Sequence, residues 1–106
     1  MMNIDEFKSR IKESVPLNTV FNNPGKGTSL VKGYSEKSIS YIRGNSVISV
    51  DFTSLYEAYN QFHGLNVSSS ELKIFAPKVF DSKASGHNCN CTFFFLLLQS
   101  LDLAGQ

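Results

Sequence analysis

The feature that most constrains this chain is a change of hydrophobic period at Phe52. Upstream, Ser46 to Phe52 alternates, with Ile48, Val50 and Phe52 set against Val47, Ser49 and Asp51, as in a strand with one buried face. Downstream, Leu55, Ala58, Tyr59 and Phe62 recur at helical spacing, with Thr53 or Ser54 as cap and Gly64 as stop. A strand and a helix joined without a linker, each with one apolar side, must share a core. The expected core is Ile48, Val50, Phe52, Leu55, Tyr59 and Phe62, joined by Leu72 and Phe75 from the next helix.

Two more strand signals lie just upstream, Ser29 to Tyr34 and Ser38 to Arg43. The links Ser35-Glu36-Lys37 and Gly44-Asn45 are short enough for hairpins, which predicts a three-stranded antiparallel meander. Before it, Asn3 with Glu6 forms a capping pair, and Ile4, Phe7 and Ile11 define one helical face until Pro16 forbids continuation, so a helix is expected over Ile4 to Ser14. The stretch Asn22-Asn23-Pro24-Gly25-Lys26-Gly27 reads as a loop before the sheet. After the Phe62 helix, Ser68 with Glu71 caps a second one that Pro77 limits, and Asp81 to Asn88 reads as a loop containing Gly86. Cys91 or Thr92 then opens a nearly all-apolar helix to about Asp102. Grouped strands and grouped helices predict an α+β fold, with the N-terminal helix and three C-terminal helices packed on one face of the sheet.

At 106 residues, 42% hydrophobic and 18% charged, the chain can bury one core, and a single domain over residues 1–106 is expected, folding alone or as a small homo-oligomer. A net charge of +1 gives no global attraction to nucleic acid or anionic membrane, so any such preference must come from a local patch. The start Met1-Met2-Asn3-Ile4-Asp5-Glu6 lacks the basic and apolar regions of a signal peptide, and Cys89 and Cys91 are the only cysteines, so a cytoplasmic protein without a disulfide framework is expected. The most apolar run, Phe93 to Leu98, is far shorter than the roughly 20 residues of a membrane span, and no membrane partner is expected.

Four groups could carry chemistry. Pro24-Gly25-Lys26-Gly27-Thr28-Ser29 has the glycines and lysine of a phosphate loop without its spacing, and it precedes a strand rather than a helix. His87, Cys89 and Cys91, with His63 as a distant fourth, offer one alternative, a metal site, although the Cys-x-Cys spacing is tight for zinc. A second alternative makes Cys91 a nucleophile at a helix N-terminus with His87 as base. Asn90-Cys91-Thr92-Phe93-Phe94 resembles the Asn-Cys-x-x-Phe helix start of some papain-like acyltransferases and peptidases, which would imply a cysteine-dependent hydrolase or acyltransferase. Against it stand the absence of those enzymes' longer sheet and the apolar run that follows, which should bury Cys91 as a structural residue.

The fourth group is basic. Lys26, Lys32, Lys37 and Arg43 face only Glu36 as an opposing charge, with Tyr34 and Tyr41 as stacking or packing partners, and such a ribbon could follow a phosphate backbone. Thr53 to Phe80 resembles a helix-turn-helix, whose second helix would present Ser69, Ser70 and Lys73, although the His63 to Val67 connection is long and Pro77 shortens that helix. Taken whole, the chain resembles the small orphan α+β domains of bacteria, phages and mobile gene cassettes, often found near DNA-processing systems. That resemblance assigns no functional residues. The reading is a non-catalytic interaction domain without a cofactor, nucleic acid slightly ahead of protein as partner, with the cysteine enzyme as the alternative from another class.

Overall fold

The computed structural model describes residues 3–24, 27–62, 68–81 and 90–101. Helix α1 (Ile4–Ser14) opens where Asn3 Oδ1 accepts the Glu6 amide, and it buries Phe7 and Ile11. Four antiparallel strands follow in chain order across one sheet: β1 (Val20–Asn22), β2 (Thr28–Tyr34), β3 (Ser38–Arg43) and β4 (Ser46–Asp51). Helix α2 (Phe52–Phe62) starts directly from β4, with Asp51 Oδ1 accepting the Ser54 amide. Next come α3 (Ser69–Phe75), whose start is a full capping box between Ser68 and Glu71, the short α4 (Pro77–Phe80), and α5 (Cys91–Ser100).

The α+β class and the antiparallel meander hold, while two details of the sequence expectation are corrected. The sheet has four strands rather than three, because Val20–Asn22 pairs with β2. The presumed loop is therefore a hairpin connection: Asn23 N donates to Gly27 O, and Gly27 sits at φ +78, where a side chain would be strained. After the sheet there are four helices among the described residues rather than three, because Pro77 both limits α3 and opens α4, as suits a residue with fixed φ and no amide donor. Phe52 also belongs to α2 rather than to the strand.

The core lies between one face of the sheet and the helices. Val31, Tyr41, Ile39, Ile48 and Val50 point into it from the sheet, Phe7 and Ile11 from α1, Phe52, Leu55 and Tyr59 from α2, and Phe93, Phe94 and Leu97 from α5. Aromatic contacts lock the layers: Phe93 stacks on Tyr41 with ring centroids 3.7 Å apart, Phe7 stacks on Tyr59 at 5.3 Å, and Phe80 meets Phe94 edge-on at 5.5 Å. Six of the eight expected core residues are buried. Phe62 is partly buried, and Phe75 is exposed apart from an edge contact with the Phe62 ring. Helix α5 is not buried all round, since Phe95 and Leu96 on it are only half-buried. Among the described residues, no helix is long and apolar enough to cross a membrane.

Candidate functional site

Opposite the core, the other face of the sheet carries a continuous aliphatic row. Val20 pairs with Leu30, Leu30 with Ile42 and Ile42 with Val47, so one residue from each strand lines up on the same side. Val20 and Val47 at the two ends are 57% and 62% exposed, and Leu30 and Ile42 between them are half-buried. Beside the row, the Ser40 and Ser49 hydroxyls bond across β3 and β4 at 2.8 Å. The sequence held a signal for this row, because Val47 is an apolar residue in the otherwise polar phase of β4, but its alignment across four strands depends on pairing that periodicity alone does not fix.

The row ends at β4, whose outer edge meets no further strand among the described residues. A two-residue turn, Gly44-Asn45, joins β3 to β4, so Arg43 and Ser46 form a hydrogen-bonded pair, as do Tyr41 with Ile48 and Ile39 with Val50. The bond from Phe52 N to Lys37 O (2.8 Å) continues that alternation. By the same alternation the backbone N–H and C=O groups of Val47, Ser49 and Asp51 point away from β3. No further backbone bond engages them among the described residues. The edge opens onto a groove of about 360 Å³, with Ser49, Val50 and Asp51 on the strand side and Lys78 and Val79 of α4 on the other.

Lys32, Lys37 and Arg43, the described members of the basic group, do not form a compact cluster. Lys37 lies in the β2–β3 turn and Arg43 at the far end of β3, which separates them by roughly 20 Å for a six-residue strand. Lys32 occupies an exposed β-bulge between Val31 and Gly33. No ion pair engages the side chains of Lys32, Lys37 or Arg43 among the described residues. The aromatic partners expected beside these cations are consumed by the fold. Tyr41 is fully buried against Phe93 and donates to Asn90 Oδ1 at 2.6 Å, and the Tyr34 hydroxyl donates to the Val15 carbonyl, where burial pushes its pKa up to about 12. Ser29, from the glycine-rich segment, is likewise spent, its hydroxyl donating to Asn23 Oδ1 in a buried pair.

On the helix pair, Ser69 and Ser70 are exposed at the start of α3 and Lys73 is half-buried. Helix α3 is seven residues long and packs against α4 and α5, so it is a short element held in the helical layer. Lys26, His63, His87 and Cys89 lie outside the described residues. Cys91 is 2% exposed, and its thiol faces the Phe80 and Ser69 carbonyls at 3.7 and 3.8 Å. Asn90, the residue before α5, makes no side-chain cap bond and instead accepts from Tyr41 and donates to Val79 O. Among the described residues, no group of three His, Cys, Asp or Glu side chains is placed to hold a metal ion. Compared with protein-family models, curated proteins and solved structures, the chain matches none.

Proposed function

We propose that this chain is a non-catalytic protein-interaction module that works through the open face of its sheet and the adjoining β4 edge. The carrying observation is the aliphatic row Val20–Leu30–Ile42–Val47, which sits on the side of the sheet that no described helix covers and ends at β4, whose outer edge pairs with no described strand. Native proteins usually blunt such an edge with proline, lysine or a very short strand. Among the described strands, β1 is blunted by its three-residue length, whereas β4 runs six residues with a single charge at its end. Cys91 is buried and Tyr41 is turned inward against Phe93 and Asn90, so neither side chain is offered to a substrate. A photo-crosslinking residue placed at Val47 should yield a discrete protein adduct, which Val20→Glu abolishes. The same residue at Glu13 of α1 should yield none. Equal labelling from the two positions would contradict the assignment.

A second reading rests on a different observation. Lys32, Lys37 and Arg43 have no acidic partner among the described residues, and such cations along one hairpin, Lys32 and Lys37 exposed and Arg43 half-buried, can contact phosphates. Binding of that kind would be weak, salt-sensitive and indifferent to sequence, because no aromatic platform accompanies the charges among the described residues.

A further inference from the structure

The protein-binding reading leaves open what the partner presents, and the β4 edge is specific enough to answer it. We infer that β4 receives an extended segment of a partner protein as a fifth, antiparallel strand, with an aliphatic residue opposite Val47, a hydroxyl residue opposite Ser49 and a cation opposite Asp51. This inference rests on the reading above and adds to it a mode, a direction and a register.

Three observations fix those terms. First, the alternation of hydrogen-bonded pairs between β3 and β4 turns the amides and carbonyls of Val47, Ser49 and Asp51 outward, so an incoming strand finds three evenly spaced docking residues. Second, β3 already displays the pairing chemistry that β4 favours on this face. Ile42 stands opposite Val47, and the Ser40 hydroxyl bonds the Ser49 hydroxyl at 2.8 Å. A strand on the other side of β4 meets the same side chains, and an aliphatic residue opposite Val47 would lengthen the row from four residues to five. Third, Asp51 is the only charged residue of β4 and is exposed, so a cross-strand cation is the complementary choice. The groove between β4 and α4 leaves room for the partner's alternate side chains, which would face Val50 and Val79. Read antiparallel to β4, these requirements give Lys-Val-Thr-Ile-Val.

The test uses the whole chain labelled with ¹⁵N and the end-capped peptide Gly-Lys-Val-Thr-Ile-Val-Gly. Strand addition predicts that the peptide shifts the amide resonances of Val47, Ser49 and Asp51 and slows their hydrogen exchange. An N-methyl group on the peptide threonine, or glutamate in place of its lysine, should weaken binding roughly tenfold or more, since each removes an interaction this register requires and neither touches the fold of the protein. On the protein side, Ser49→Pro removes an outward donor that β3 does not use and should abolish the response. The proposal is overturned if the β4 amides do not respond, if the N-methyl peptide binds as well as the parent, or if those amides are already protected in a concentration-dependent way, which would make a second copy of this chain the occupant. If the peptide fails while Val47 still crosslinks specifically to a protein, strand addition falls and the protein-binding reading stands; if both fail, both fall.

Discussion

The Tyr41 hydroxyl donates to Asn90 Oδ1 at 2.6 Å, with both residues almost wholly buried, and this bond ties the middle of the sheet to the residue that precedes α5. Asn90 also donates to the Val79 carbonyl of α4 at 2.8 Å, so one amide side chain joins three elements. Tyr41→Phe keeps the stacking on Phe93 but takes that donor from a buried acceptor. A loss of about 1–3 kcal/mol in urea unfolding is expected. A change below the error of the measurement would show that the bond carries little net stability.

Cys91 should behave as a packed residue. In a Cys89→Ser background, alkylation of the native protein is expected to be slow and to accelerate on unfolding, because the thiol is 2% exposed beneath α3 and α4. Rapid stoichiometric labelling of the native protein near neutral pH would instead support the cysteine-enzyme alternative.

Alkaline pH should expose the role of Tyr34. Its phenol is pushed from 10.0 to about 12 by burial, so at high pH the unfolded chain ionises before the folded one. The stability contributed by keeping this group neutral is fully present below pH 10 and is lost as the pH rises toward 12. Tyr34→Phe has no such group to titrate, so its unfolding midpoint should fall less than that of the parent over this window. Parallel pH profiles for the two proteins would contradict the assignment.

The phosphate-contact reading makes a separate prediction. Neutralising Lys37 and Arg43 together should change folding stability by no more than about 1 kcal/mol, since both lie at solvent-accessible ends of β3 without an ion pair. If these cations contact nucleic acid, the double variant should weaken binding equally for unrelated sequences and flatten its dependence on salt. Absence of binding by the parent protein at low salt removes that reading.

The sequence was most legible where one local rule decided the outcome. The bounds of α1 follow from the Asn3 cap and the approach to Pro16, and the capping box of α3 is visible as Ser68 with Glu71. Strand β1 escaped because it has three residues, of which only Phe21 turns toward the core, too few for alternation to register. Phe75 follows the helical period of Leu72 yet is exposed, because α3 is short and its neighbours cover mainly the Leu72 side. The basic residues and tyrosines read as a ribbon from their order in the chain. Pairing sends Lys37 and Arg43 to opposite ends of β3 and turns Tyr41 inward, and neither outcome is encoded locally. The same pairing assembles the Val20–Leu30–Ile42–Val47 row from four strands, so the surface on which the functional reading rests emerges only with the register.

Amide hydrogen exchange of the unliganded protein at low concentration tests the free outer edge of β4 most directly. The predicted result is an alternation along the strand, with Ile48 and Val50 protected by β3 and Val47, Ser49 and Asp51 exchanging fast. Uniform protection of all five amides in the monomer would contradict it, because the edge would then already be covered within the chain itself.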